Sequence, residues 1–252
     1  MNFVKQLPDY LDYLIPVNEE LVRLGCDTDG GYLIPKTALD NANALLSFGL
    51  GENWTFDEDW HRLHPDDPVH LYDGEKIKAT LPEPNNVWNR PEPVDLVSAY
   101  DAFFQDNRRH WVENIGNDKR QCDLVTAINR LGADRQIFLK SDIEGGEYPI
   151  LGDILKYRQY IVGIAAEFHG VNTNRKLFEM AIESLRHYYT IVHVHANITL
   201  PIGKEGLTEA IEISWLRNDL VISDQRRYNL YHELDRPNYL GYPDYEYWFE
   251  QR

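Results

Sequence analysis

Apolar runs of strand length alternate with segments of helical spacing along most of this chain. Strands are predicted at 45–53 (running into a glycine loop), 69–73, 137–139, 160–169, 189–197 and near 209–216, each rich in Val, Ile, Leu or aromatic residues. Between them, 54–63, 123–132, 147–155 and a stretch from Asn172 or Thr173 to about His187 place apolar residues three and four apart, as helices do. Asp123 is expected to cap its helix and Gly132 to follow its end. Alternating strands and helices predict an α/β fold: a doubly wound, mostly parallel sheet with helices on both faces. Upstream, two short apolar pieces broken at Pro8 and Pro16 predict short helices, and Asp29-Gly30-Gly31 predicts a turn before a strand that Pro35 ends. That turn reads either as a hairpin or as a lid or wall over a site. The segments 94–104 and 111–116 have no clear assignment, and four prolines within 79–93 predict an irregular loop.

The stretch 137–148 organises the rest. Its apolar run ends in Asp142 and Glu144, turns on Gly145-Gly146 and enters a helix at Glu147. Open α/β sheets bind ligands outside the carboxyl ends of their strands, which is where these acids fall. Glu147 reads as a helix cap, whereas an acid at a buried strand end requires a partner. Other strand ends carry polar residues too: Asp73, Glu167 with His169, and His193 with His195 and Asn197 on one strand face. Acids and imidazoles that meet at neighbouring strand ends can share a proton or hold a divalent ion. Ser47-Phe48-Gly49-Leu50-Gly51 followed by a helix lets a ligand approach backbone closely. It lacks the third glycine of a dinucleotide fingerprint, which argues for a ligand without a pyrophosphate there. Asp73 lies roughly twenty residues further on, where such folds place the carboxylate for ribose hydroxyls.

Composition changes this picture little. The 252 residues fit one domain: an extension over 1–44, a core over 45–217 and an aromatic, acidic tail over 218–252 expected to pack in the ordinary way. The net charge of −16 argues against a general nucleic-acid or anionic-membrane binder, so no nucleic acid and no membrane insertion are expected. Cys26 and Cys122 are too few for a disulfide framework. With no apolar signal core over 1–12 and no run of membrane-spanning length, a cytoplasmic location is expected.

Taken together, Arg23-Leu24-Gly25 with Asp29-Gly30-Gly31-Tyr32, the Gly49-Leu50-Gly51 loop with Phe56-Asp57, the 69–73 strand, Leu139-Lys140-Ser141-Asp142-Ile143-Glu144-Gly145-Gly146-Glu147, and Glu167-Phe168-His169 resemble the FkbM-like methyltransferases in order and spacing. The resemblance spans about residues 20–200, and Gly146 stands where relatives often carry Ala. It implies a class I S-adenosylmethionine-dependent enzyme that methylates hydroxyls of sugars, glycans or glycosylated small molecules. It also implies cofactor contacts at Gly49, Gly51, Asn53, Asp73 and Asp142. The loop 79–93 and the tail after 200 follow no family pattern and are expected to shape the acceptor site.

Methyl transfer to a hydroxyl needs in-line alignment and a route for the proton. His169, His193, His195 and Glu144 are the candidate catalytic groups. Alternatively Asp142, Glu167 and His195 hold a divalent ion, Mg²⁺ or similar, which is the favoured reading. An amine acceptor, a nicotinamide-dependent enzyme and a non-catalytic binding module are the competing readings, and a homo-oligomer is left open.

Overall fold

A computed structural model describes residues 2–76, 78–81 and 95–251. The first half holds β1 (Phe3–Gln6), β2 (Leu21–Leu24), β3 (Tyr32–Pro35), α1 (Lys36–Asn41), β4 (Ala44–Phe48), α2 (Thr55–Leu63), β5 (Val69–Tyr72), α3 (Leu96–Phe103) and β6 (Arg108–Trp111). The second half holds α4 (Leu124–Leu131), β7 (Ile137–Ser141), α5 (Glu147–Lys156), β8 (Ile161–His169), α6 (Arg175–Arg186), β9 (Tyr189–Ala196), β10 (Ala210–Arg217) and β11 (Tyr245–Trp248).

Seven strands form the central sheet in the order β6-β5-β4-β7-β8-β10-β9. β6, β5, β4, β7 and β8 are mutually parallel, and β10 runs antiparallel between β8 and β9. This is the doubly wound, mostly parallel α/β sheet that the alternating pattern predicts. The chain leaves β4 towards β5 on one side and returns to β7 on the other, so the switch point lies between β4 and β7. Register keeps the strand tips level: Phe48 pairs with both Tyr72 and Ser141, and Ser141 pairs with Ala166. The residues that follow these positions therefore emerge together at one edge of the sheet.

Apolar side chains fill both faces. On one, α4, α5 and α6 contribute Leu124, Ile150, Phe178 and Ile182 against Leu46, Leu139 and Ile164. On the other, α1, α2 and α3 contribute Leu39, Trp60 and Leu96 against Leu45, Leu71 and Phe138. Burying side chains of this size stabilises the fold by roughly 1.5–3 kcal/mol each. Asp123 caps α4 by accepting the N–H of Thr126, and Gly132 follows with φ of +97°, both as predicted.

Several local expectations change. Of the two upstream apolar pieces, Asp9–Leu14 is a 3₁₀ turn and the second is a strand, β2, which pairs with β3 as a hairpin. Pairing supplies the backbone partners that a four-residue helix would lack, so tertiary context decides. The helix α6 begins at Arg175, because the N–H groups of Asn172 and Thr173 are taken by the Glu209 side chain. Of the unassigned segments, 94–104 contains α3, capped by Asp95, whereas 111–116 starts at the last residue of the edge strand β6 and then forms one bridge, Ile115 with Cys122. In the loop 79–93, Lys78–Thr80 is a 3₁₀ turn, and the portion from residue 82 lies outside the described residues. The tail is integral: β11 pairs in parallel with β1, and Leu230, Tyr247 and Phe249 are buried in the core. Among the described residues, no helix is long and apolar enough to cross a membrane.

Candidate functional site

A cleft of about 640 Å³ opens at the tips of β4, β5 and β7, with Gly49, Gly51, Asn53, Asp73, Lys140, Asp142 and Glu144 on its walls. The two glycines of the loop do different work. Gly49 has φ of +89°, and a Cβ there would meet the Asp142 carbonyl oxygen at 1.8 Å, so it closes the junction between β4 and β7. Gly51 has φ of +53° and open space where a Cβ would stand, so it leaves room in the cleft. Asp73 ties this loop to β5: its Oδ2 accepts the N–H groups of Leu50 (3.0 Å) and Gly51 (3.3 Å). Its Oδ1 accepts those of Glu75 and Lys76. Asn53 reaches the cleft wall but spends its amide on structure. Its Oδ1 accepts the Thr55 N–H at the start of α2, and its Nδ2 donates to the Asp29 carbonyl. The hairpin turn also forms part of the cleft wall through Asp29 and Gly30, so the two readings of that turn are compatible.

At the tip of β7 the acids have the partners their burial demands. Tyr32 donates to Asp142 Oδ2 at 3.0 Å. Glu147 accepts the N–H groups of Ile143 and Gly145, holding the turn into α5 as a cap. Glu144 adopts φ of +54°, a conformation uncommon for a residue with a side chain, and presents its carboxylate to solvent. From β8, His169 turns towards this group. Its Nε2 lies 3.4 Å from Glu144 and 3.5 Å from Glu167, and its Nδ1 lies 3.3 Å from Glu147. Burial acts to lower the imidazole pKa, but Glu147, with Asp142 and Glu144 beyond it, outweighs burial and raises it to about 9. Asp142, Glu144 and His169 bring one potential ligand atom each within 4.8 Å of one another. A second cavity of about 520 Å³ adjoins the same Glu144 and His169 and is otherwise lined by Gly145, Tyr148, Pro149, Gly170, Asn174 and Leu177.

His193 and His195 are not among the residues of either cavity. Both are buried beneath the tail, where His193 meets Asp235 at 2.9 Å and His195 lies between Glu212 and Asp244 at 3.1 Å from each. The alternation along β9 does put them on one face, as predicted, but that face is covered by 235–244 rather than open to a ligand. Their assignment as catalytic bases is therefore corrected. The set Asp142, Glu167 and His195 is likewise not brought together as a metal site. Glu167 instead groups with Asp29 and Glu212, and Asn197 donates to it at 2.8 Å. Burial raises the Glu167 carboxyl well above its usual range, reinforced by Asp142, Glu212 and Asp29, so it favours its protonated form.

Sequence reasoning passed over Asp29, Tyr32 and Lys140, all of which meet at this edge. The available signal was Lys140 itself, a cation inside an otherwise apolar strand, 4% exposed.

No protein-family model and no curated protein sequence matches the chain. Solved structures similar to it include a putative rRNA methylase from Clostridium thermocellum, 10% identical over 69% of this chain and 86% of that one, TM-score 0.40. Another is the fibrillarin pre-rRNA processing protein of Methanococcus jannaschii, 9% identical over 79% and 82%, TM-score 0.40. A third is a precorrin-6y C5,15-methyltransferase from Geobacter metallireducens, 12% identical over 72% and 84%, TM-score 0.38. The topology of this chain rests on its own sheet order. The expectation of no nucleic-acid partner is corrected: proteins described by rRNA methylation or processing are among these structures, and net charge alone gives no ground for exclusion, since a local patch can differ from the whole.

Proposed function

We propose that this chain is an S-adenosylmethionine-dependent O-methyltransferase of the FkbM-like kind, acting on a hydroxyl of a sugar, nucleotide-sugar, glycan or glycosylated small molecule. One observation carries the reading: an open glycine loop tied to Asp73 faces, across the sheet's switch point, the group Asp142, Glu144 and His169. In this reading the nucleoside lies along the glycine loop with its ribose at Asp73. The acceptor enters through the second cavity, where Tyr148, Pro149 and Leu177 offer an apolar face and Asn174 a hydrogen-bonding one.

The residues fit a divalent ion at Asp142, Glu144 and His169, and the imidazole nitrogen beside two carboxylates suits Mn²⁺ better than the oxygen-preferring Mg²⁺. When bound, such an ion supplies a Lewis acid that lowers the pKa of the acceptor hydroxyl. His169 is a poor base by itself, because with a pKa of about 9 it already holds its proton at neutral pH. Where no ion is held, Glu144, exposed beside it, accepts the proton in this reading as the acceptor oxygen bonds to the methyl carbon and the carbon–sulfur bond breaks. The product is the methyl ether together with S-adenosylhomocysteine.

Calorimetric titration with S-adenosylhomocysteine tests the cofactor half of the proposal. Binding is expected, with loss in Gly51→Val, which fills the open space, and in Asp73→Ala. Absence of binding to the wild-type chain removes the proposal. Labelled methyl transfer to a panel of sugars and glycans, with and without a chelator, tests the acceptor and the metal.

A further inference from the structure

The tail between Asp235 and Asp244 is anchored along its length and still leaves its largest side chains in water. Its two end residues meet His193 and His195, and Asn238 between them is buried. Asn238 ties the segment to three other parts of the chain. Its backbone carbonyl accepts the Asp29 N–H at 3.0 Å, its Oδ1 accepts the Ile198 N–H, and its Nδ2 donates to Glu212. Asp29 stands on the wall of the cleft, and Ile198 follows the carboxyl end of β9, so the next turn lies at the same edge of the sheet as the cleft. That turn closes where the Tyr242 N–H donates to the Tyr239 carbonyl at 3.2 Å, with Gly241 at φ of +82°, a left-handed value that the third position of such a turn gives to glycine. Pro237 and Pro243 fix the backbone on either side. Tyr239, Leu240 and Tyr242 are 41%, 50% and 63% exposed, and the two tyrosine rings stand edge to face 5.1 Å apart.

Two rings held together on a restrained turn make a shelf, and tyrosine gives such a surface an apolar face and a polar rim with little loss of side-chain entropy. Arg236, the single cation between residues 235 and 244, faces Asp27 at 3.6 Å, so recognition here falls to the rings rather than to charge. A pyranose ring matches this surface, because its C–H groups form an apolar face that stacks on an aromatic ring while its hydroxyls reach the rim. We propose that Tyr239 and Tyr242 bind a sugar unit of the acceptor other than the one that is methylated, which makes the acceptor a glycan chain rather than a single sugar or a nucleotide-sugar. This rests on the carbohydrate-methyltransferase reading and narrows its substrate. In that reading the methylated unit sits by Glu144, in the cavity on the α5 and α6 side of the sheet, whereas Asp29 belongs to the hairpin packed on the other side. Glu144 and Asp29 both stand on the wall of the cleft, so a chain that reaches from one to the shelf beside the other crosses its mouth and is longer than one sugar.

The test is the preference of the full chain for longer acceptors. Labelled methyl transfer is measured on glucose, galactose, mannose and N-acetylglucosamine and on oligosaccharides of each, and kcat/KM for the oligosaccharide is divided by kcat/KM for its single sugar. Wild type is expected to favour the oligosaccharide by about tenfold or more, the worth of one to two ring contacts. Tyr239→Ala combined with Tyr242→Ala is expected to cut that ratio by about tenfold. Tyr239→Phe combined with Tyr242→Phe is expected to keep most of it, since the ring faces remain. A ratio is read because a general loss of folded protein or of cofactor affinity cancels from it. Sedimentation velocity on the same variants follows their oligomeric state. A wild-type ratio near one overturns the proposal, as does a ratio that the alanine pair leaves unchanged. A change of oligomeric state that accompanies the loss also overturns it, because the turn is then a contact between copies. Transfer to no sugar of either length, with S-adenosylhomocysteine still bound, overturns the carbohydrate reading beneath it and the shelf with it.

Discussion

His169 shows how one side chain's surroundings set its chemistry. Three carboxylates lie within 3.5 Å of its ring nitrogens, and their field overcomes the effect of burial. An imidazole titrating near 6.5 in the unfolded chain and near 9 in the folded one binds its proton more tightly when folded. Its contribution to stability is full below about pH 6.5 and fades as pH rises through 9. Urea midpoints of the metal-free chain should therefore fall over that window, and His169→Gln should flatten the fall. If the imidazole ligates an ion, that ion must displace the proton. Calorimetric titration with Mn²⁺ at pH 7.5 in buffers of different ionisation enthalpy should show close to one proton released, and none in His169→Gln. Gly49 is equally specific. Its missing Cβ admits the Asp142 carbonyl, so Gly49→Val should damage the fold more than Gly51→Val, which bears the strain of φ +53° but meets nothing where its Cβ would stand.

At the scale of elements, the tail segment over 228–249 decides what the histidines of β9 do. Asp235 and Asp244 come from this segment and meet His193 and His195 where water is excluded. Burial acts to raise the Asp235 carboxyl, but His193 outweighs it and holds the carboxyl well below the usual range. For His195, the opposing effect of burial is outweighed by Glu212 and Asp244, which raise it well above its ordinary value. Removing one partner of such a buried pair leaves a charge without compensation, a loss of about 3–5 kcal/mol. His195→Ala should lower the thermal midpoint strongly while Asn197→Ser, at the rim of the same strand, should lower it less; differential scanning calorimetry compares them. Equal stability of His195→Ala and wild type would mean that the tail segment does not hold this face of the fold.

For the molecule as a whole, β1 and β11 join the two ends of the chain beside one sheet whose two faces are both covered. Among the described residues, one core cluster draws on early, middle and late parts of the sequence, such as Leu11, Leu139 and Phe249. Denaturant unfolding should accordingly be a single transition by both circular dichroism and tryptophan fluorescence. Two separated transitions would mean that the extension and tail fold apart from the core.

The sequence by itself determined the order of β4, α2, β5, α4, β7, α5, β8, α6, β9 and β10, the acids at the tip of β7, the glycine loop after β4 and the place of Asp73 at the end of β5. Each of these follows from local rules: the two periodicities, the turn residues and the chemistry of a strand end. Only the tertiary structure decided which strand ends open to a ligand. His193 and His195 obey the same alternation as any strand residue, yet a segment forty residues downstream covers them, and Lys140 reads as an interruption until the cleft is folded around it. Side-chain direction is a local property of the backbone, whereas solvent access and counter-charge depend on which distant segment packs against it.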